Sequence, residues 1–173
     1  MRNTLFTMSA ALLLLRCGGE GTPAANESIA VPQAFEVTLS RSACFGTCPS
    51  YVASINASGD VQWQGKACVD QTGATTGQRT AAEASAVFQA LIDGGFWTYQ
   101  DRYVSAEDGC EVWTDAPTVE ITVRATGLDK TLVHYHGCRG ISDLDALAEL
   151  EDELDRLIDT QAWKGAPRTI ACE

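Results

Sequence analysis

With 173 residues, 45% hydrophobic and 20% charged, the chain is long enough for one ordinary globular domain plus a short extra segment. Its formal net charge is −11, and losing Arg2 and Arg16 with residues 1–16, which hold no acid, takes −11 to −13. Charge of that sign repels phosphate backbones and anionic headgroups, which argues against nucleic-acid binding and peripheral membrane adsorption and leaves cationic groups as its charged partners; otherwise the acids form a solvated face.

The N-terminus reads as an export signal. Arg2 is followed by an apolar run from Leu5 to Leu15, too short to span a bilayer as a helix, and then by Cys17. This layout resembles a bacterial lipoprotein signal, in which residues 1–16 are removed and Cys17 is lipidated. Arg16 departs from that pattern, which has a small residue before the cysteine. A soluble secreted protein cleaved near Thr22–Ala25 is the alternative. Residues 17–33, rich in Gly, Ala, Glu, Asn and Pro, read as a lipid-anchored flexible tether. Seven cysteines in so short a chain point to an oxidising compartment or a metal site, and the export signal favours the first. With Cys17 as anchor six remain, an even number.

A single domain is expected over 34–173. Phe35, Val37 and Leu39 alternate with polar residues as in a half-buried strand. A cysteine-rich loop leads to Tyr51, Ala53 and Ile55, and a turn at Ser58-Gly59 leads to Val61 and Trp63, which makes a hairpin. Thr80 and Glu83 form a capping box, Val87, Phe88, Leu91 and Ile92 a helical face, and Gly94-Gly95 a stop. An aromatic stretch (Phe96, Trp97, Tyr99, Tyr103) precedes an acidic loop over 104–116. The second hairpin runs from Pro117 to His136, with Val119, Ile121 and Val123 on one face, and with Leu132, His134 and His136 sharing a face of the return strand. Ser142 and Asp145 suggest a second capping box, opening a helix whose buried stripe is Leu144, Leu147, Leu150, Leu154 and Leu157. The order β-β-β-α-β-β-α predicts an α+β domain, an antiparallel sheet from two hairpin regions with two helices on one face, stapled by disulfides.

Three groups of residues could carry chemistry. Cys44-Phe-Gly-Thr-Cys48 could be a redox dithiol. Thioredoxin-like motifs, however, are C-x-x-C at a helix N-terminus, whereas here the spacing is longer and Pro49 leads into a strand, so a structural disulfide fits better. His134, His136 and Cys138 could converge on one strand face and hold zinc or copper, with Cys110 or Asp108 as a fourth ligand. If Cys138 is instead half of a disulfide, the histidines become ordinary surface residues. Glu107, Asp108, Glu111 and Asp115 offer oxygens for calcium without the spacing of an EF-hand, and Asp115 suits a cap on the turn into the next strand. Trp63, Trp97, Trp113 and Trp163 could line a groove but suit a core. Signatures of serine hydrolases, zincins and P-loops are absent.

The run Cys44-Phe-Gly46-Thr-Cys48-Pro49-Ser-Tyr51, the Ser58-Gly59 turn, W-Q-G-K ending at Lys66, Phe96-Trp97 with Tyr103, Thr114-Asp115-Ala116-Pro117 and Lys130 to His134 together resemble the uncharacterised bacterial "domain of unknown function 6438" family, over roughly 34–162. The resemblance implies a small exported or lipoprotein-type protein with no assigned activity, cofactor or partner. It also implies a Cys44–Cys48 pair, the other four cysteines being additions in this branch. Cys110 and Cys138 flank the second hairpin and are expected to pair, which leaves Cys68 with Cys172. The leading expectation is thus a non-enzymatic binding or structural module, without cofactor, that meets an envelope or extracellular partner and touches the membrane only through its anchor. A redox protein using Cys44 and Cys48 and a metal binder using His134, His136 and Cys138 are the alternatives.

Overall fold

The computed structural model describes residues 29–168 and Cys172. The export signal, Cys17 and the tether up to residue 28 lie outside the described residues. Ile29 and Val31, counted with the tether above, already pack against the core.

Strands β1 (Glu36–Arg41), β2 (Ser50–Asn56), β3 (Asp60–Ala67) and β4 (Gly73–Gln78) form a meander, followed by helix α1 (Ala81–Asp93). Next come the short strands β5 (Arg102–Tyr103) and β6 (Glu111–Val112), the hairpin β7 (Thr118–Arg124) and β8 (Lys130–Tyr135), and short β9 (Cys138–Arg139). Helices α2 (Leu144–Ile158) and α3 (Gln161–Lys164) close the chain. Among the described residues the main sheet has seven strands in the order β4-β3-β2-β1-β7-β8-β5, and β6 and β9 make a separate antiparallel pair. The pairing is antiparallel except at the edge, where β5 runs parallel to β8. The fold is α+β. Its two long helices present Val87, Phe88 and Leu91 (α1) and Leu147, Leu154 and Ile158 (α2) to the buried residues of the sheet.

Alternation in the strands is realised as burial on one side only. Val37 and Leu39, Tyr51, Ala53 and Ile55, Val61 and Trp63, and Val119, Ile121 and Val123 are all buried. Their neighbours Thr38, Ser54, Gln62, Gln64 and Thr76 lie on the opposite, polar face. β4 was not anticipated, because G-A-T-T-G-Q has no apolar alternation to reveal it. What holds it is its ladder to β3 and the indole of Trp163, which lies over Gly77 so closely that a Cβ there would fall 2.7 Å from the ring.

The helix termini differ from expectation at one place. Thr80 caps α1 with both arms of the capping box, and Gly94 ends it, where its missing side chain lets Leu150 of α2 approach. The Ser142–Asp145 box does not form. The Ser142 hydroxyl bonds Asp143 Oδ1 instead, and Asp143 precedes α2 without a side-chain cap. The stripe of α2 also runs one residue later than Leu157, which is only half-buried; Ile158 takes the core position, and Glu151 and Asp155 share the buried face with the leucines.

Three disulfides staple the domain. Cys44–Cys48 closes the β1–β2 loop, Cys110–Cys138 joins the residue before β6 to β9, and Cys68–Cys172 fastens Cys172 to the residue just after β3.

The two capping boxes lead to an expected contrast. Replacing Thr80 by Ala should cost about 1 kcal/mol, the usual value of an N-cap, whereas Ser142→Ala should leave the urea midpoint unchanged. Equal losses from the two would contradict the helix starts described here.

Candidate functional site

The sheet aligns a row of side chains under α2. Register places Tyr51 beside Arg41, Arg41 beside Val119, Val119 beside His134, and His134 beside Tyr103. All five stand on the helix-facing side, at the end of the sheet where the Cys44–Cys48 loop joins β1 to β2. Apolar strands thus become polar in one transverse line. α2 answers with two acids one turn apart, Glu151 and Asp155, both buried.

Asp155 sits in a dense set of donors and charges. Oδ1 accepts the Tyr51 hydroxyl in a short hydrogen bond and the Thr160 hydroxyl at 2.6 Å. Oδ2 lies 2.7 Å from Arg41 Nε, an ion pair in which the N–H does not point along the contact, and 3.5 Å from Lys164 Nζ. Arg41 Nη2 donates to Asp152 Oδ1 at 2.8 Å. Burial and the neighbouring Asp155 carboxylate both push the Tyr51 hydroxyl far above its ordinary pKa, so it stays a donor. Burial works to discharge Arg41, but the charges of Asp155, Glu151 and Asp152 outweigh it and hold the guanidinium protonated. The Tyr51 ring stacks on Trp63 at 4.5 Å between centroids, and Trp63 stacks on Trp163 at 5.4 Å, so the tyrosine is fixed at both ends.

Glu151 is fully buried and meets the two histidines. Oε1 is 2.8 Å from His134 Nδ1, and Oε2 is 2.6 Å from His136 Nε2. A carboxylate only accepts, so each facing nitrogen carries its hydrogen. Burial favours the protonated acid, yet the hydrogen bonds from the two histidines and their electrostatic attraction outweigh it, and Glu151 lies below the ordinary carboxylate range. His134 is buried, with the Tyr103 ring edge-on to it at 6.4 Å; His136 is half-buried. The His136 N–H donates to the Pro117 carbonyl at 2.9 Å, which carries the β7–β8 pairing past the end of β8. The histidines are therefore not the ordinary surface residues that a disulfide at Cys138 was expected to leave. Cys138 itself is bonded to Cys110, which removes both sulfurs as ligands.

The remaining sequence candidates are placed as follows. Cys44 and Cys48 are bonded to each other, with Phe45 90% exposed at the loop tip. Ser42 and Thr118 bond the base of this loop to the start of β7, and Phe45 N–H reaches the Asp115 carbonyl at 3.3 Å. Asp115 has φ 73°, a left-handed conformation that Asp tolerates. Its side chain caps no backbone N–H and meets only the Thr114 hydroxyl, contrary to the cap expected there. Asp108 accepts from Val104 N–H, Ser105 N–H and the Ser105 hydroxyl, which pulls its carboxyl down and commits it to its own turn. Among the described residues the acidic loop gathers no group of metal-ligand atoms; the one such group is His134, His136 and Glu151. Trp63 is core, Trp163 stacks on it, Trp97 packs against Phe88 and Phe96, and Trp113 stands 66% exposed.

Between the motif loop and the charged network lies a cleft of about 270 Å³, lined by Arg41, Ser42, Cys48, Pro49, Pro117, Asp152, Asp155 and Lys164. Residues 35–158 match the family model described as "Domain of unknown function (DUF6438)", and the chain belongs to that family. No curated protein matches it.

The network sets a stability expectation. Arg41→Met strips the buried Asp155 of its nearest cation and should destabilise the domain by about 3–5 kcal/mol in urea unfolding. Arg156→Ala, which breaks an exposed pair with Glu153, should leave the midpoint in place. A mild effect at Arg41 would mean that the Asp155 network does not hold the two layers together.

Proposed function

We propose that the protein is an exported envelope lipoprotein, anchored at Cys17, whose domain is a binding module without catalytic activity. The observation that carries the binding reading is the cleft beside Cys48 and Pro49, where residues of the C-x-G-x-C-P-x-Y motif meet exposed edges of a charged network. Arg41 and Lys164 stand there with Asp152 and Asp155, so the cleft offers both signs of charge at short range, suited to a polar or zwitterionic group of an envelope partner. Six bonded cysteines support an oxidising compartment, and the apolar run before Cys17 supports the anchor. Against catalysis, Tyr51 and Asp155 are spent on each other and on their neighbours inside the core.

Intact mass of the membrane-extracted protein should show a chain that begins at Cys17 and carries added acyl mass. A water-soluble product beginning near Ala24 or Ala25 would replace the anchor with simple secretion.

A structural role for Cys44–Cys48 rests on its place between two strands, with no helix N-terminus to depress a thiolate pKa. Equilibrated in thiol buffers and followed by alkylation and mass spectrometry, the pair should show a midpoint below about −300 mV. A midpoint between about −120 and −270 mV, the range of dithiol oxidoreductases, would make thiol–disulfide exchange the function instead.

A further inference from the structure

We infer that His134, His136 and Glu151 form a binding site for one divalent transition-metal ion, of the kind that zinc(II) represents. This does not depend on the anchor or on the cleft beside Cys48.

The donor set is two imidazole nitrogens and one carboxylate oxygen, whose ligand atoms lie within 4.8 Å of one another. Two histidines with one acid are a recurring protein ligand set for zinc and for other first-row ions, and they leave one or more positions open. The nitrogens that face Glu151, His134 Nδ1 and His136 Nε2, are 2.8 and 2.6 Å from its oxygens. Around a tetrahedral ion with bonds of about 2.0–2.1 Å, donors stand roughly 3.3 Å apart, so small side-chain movements would admit it. His134 and Glu151 are held by β8 and α2, while the half-buried His136 lies on the side from which an ion or an exogenous ligand could enter.

Electrostatics supplies the reason to prefer an ion over a hydrogen-bonded triad alone. A fully buried carboxylate needs a counter-charge, because removing an ion from water costs several kcal/mol. For Asp155 that charge is permanent, from Arg41 and Lys164. Glu151 has neither a guanidinium nor an ammonium in contact; its two oxygens meet the two imidazoles. The guanidinium of Arg41, which also feels Glu151, is in contact with Asp152 and Asp155. A divalent cation bound between the three groups would place a full positive charge directly on the carboxylate. It would displace the two hydrogens that now point at the carboxylate, by a change of tautomer at each ring. Cys138, the obvious third ligand in the sequence, is excluded by its bond to Cys110.

The test uses the full-length protein in detergent after chelator treatment. Zinc(II) titrated against a chromophoric competitor should bind one ion per chain. His136→Ala should weaken that site by more than the ~10–100-fold that an outer-shell partner is worth, and Glu151→Gln should do the same. Cobalt(II) should give the visible bands of a low-coordinate nitrogen and oxygen site without thiolate charge transfer. Zinc should raise the melting temperature of the native protein but not of His136→Ala. His136 is only half-buried, so this variant keeps the test decisive if Glu151→Gln fails to fold. Absence of a stoichiometric site, or binding that both folded variants retain, overturns the inference and leaves a hydrogen-bonded triad with stray ions on an acidic surface.

Discussion

The structure turns on the inner face of α2, which carries two acids into the core. An ionised carboxylate cannot be left there without partners, since the cost of desolvation would exceed what neighbouring leucines contribute. The sheet beneath must therefore present donors and cations at one level, and it does so in the row of Tyr51, Arg41 and His134. The constraint also reaches register. A slip of one residue in β1 or β8 would turn Arg41 or His134 to the outer face and strand Asp155 or Glu151. The polar row thus specifies how helix and sheet align, on top of the apolar packing of Leu39, Ile121 and Leu132 one layer deeper.

The C-x-G-x-C-P-x-Y run is intelligible from the same row. Cys44 and Cys48 close the loop that brings β2 back beside β1, and Pro49 sets an extended path into Ser50. Tyr51 is then the first side chain of β2 to reach under α2. Its ring joins the Trp63–Trp163 stack, and its hydroxyl reaches Asp155. Thr114 to Pro117 occupies the other side of the loop, where Asp115 adopts a left-handed turn and the strand leaving it pairs with β1. The motif residues therefore stand around one end of the sheet, although they are spread over 74 positions of sequence from Cys44 to Pro117.

Period-two alternation made β1, β2, β3, β7 and β8 readable from sequence, because each of them buries one face only. β4 and the two-residue strands were not readable, since they are held by ladders and by neighbours such as Trp163 and not by a pattern of their own. In α2 the stripe was assigned to leucines alone. Taking 144, 147, 151, 154 and 158 as the inner positions would have placed Glu151 among Leu144, Leu147, Leu154 and Ile158, an acid in a core slot. That was the one available signal for the partner of the histidines. His134 and His136 could be placed on a common face, but their third neighbour comes from a helix 15 residues beyond His136, and no local spacing reveals it. The Ser142 box failed for a simpler reason: α2 begins at Leu144 with Asp143 as its N-cap, one residue later than a Ser142–Asp145 box requires, and the Ser142 hydroxyl is left to donate to Asp143.

The two buried acids of α2 are answered by different chemistry. Asp155 faces groups that remain charged or donating at any physiological pH: a guanidinium, an ammonium, a phenol and a hydroxyl. Those partners are permanent, and only the outer edge of the set lines the cleft beside Cys48 and Pro49. Glu151 faces two imidazoles, side chains that commonly serve as metal ligands. One of them is reachable from solvent. If stability alone were at stake, a second arginine would serve Glu151 as Arg41 serves Asp155, with a charge that never leaves. Two histidines around a buried acid instead make a donor set that a metal ion can share. The division therefore separates the part of the polar row whose charges hold the layers together, and whose outer edge lines the cleft, from the part whose donors a metal ion could share.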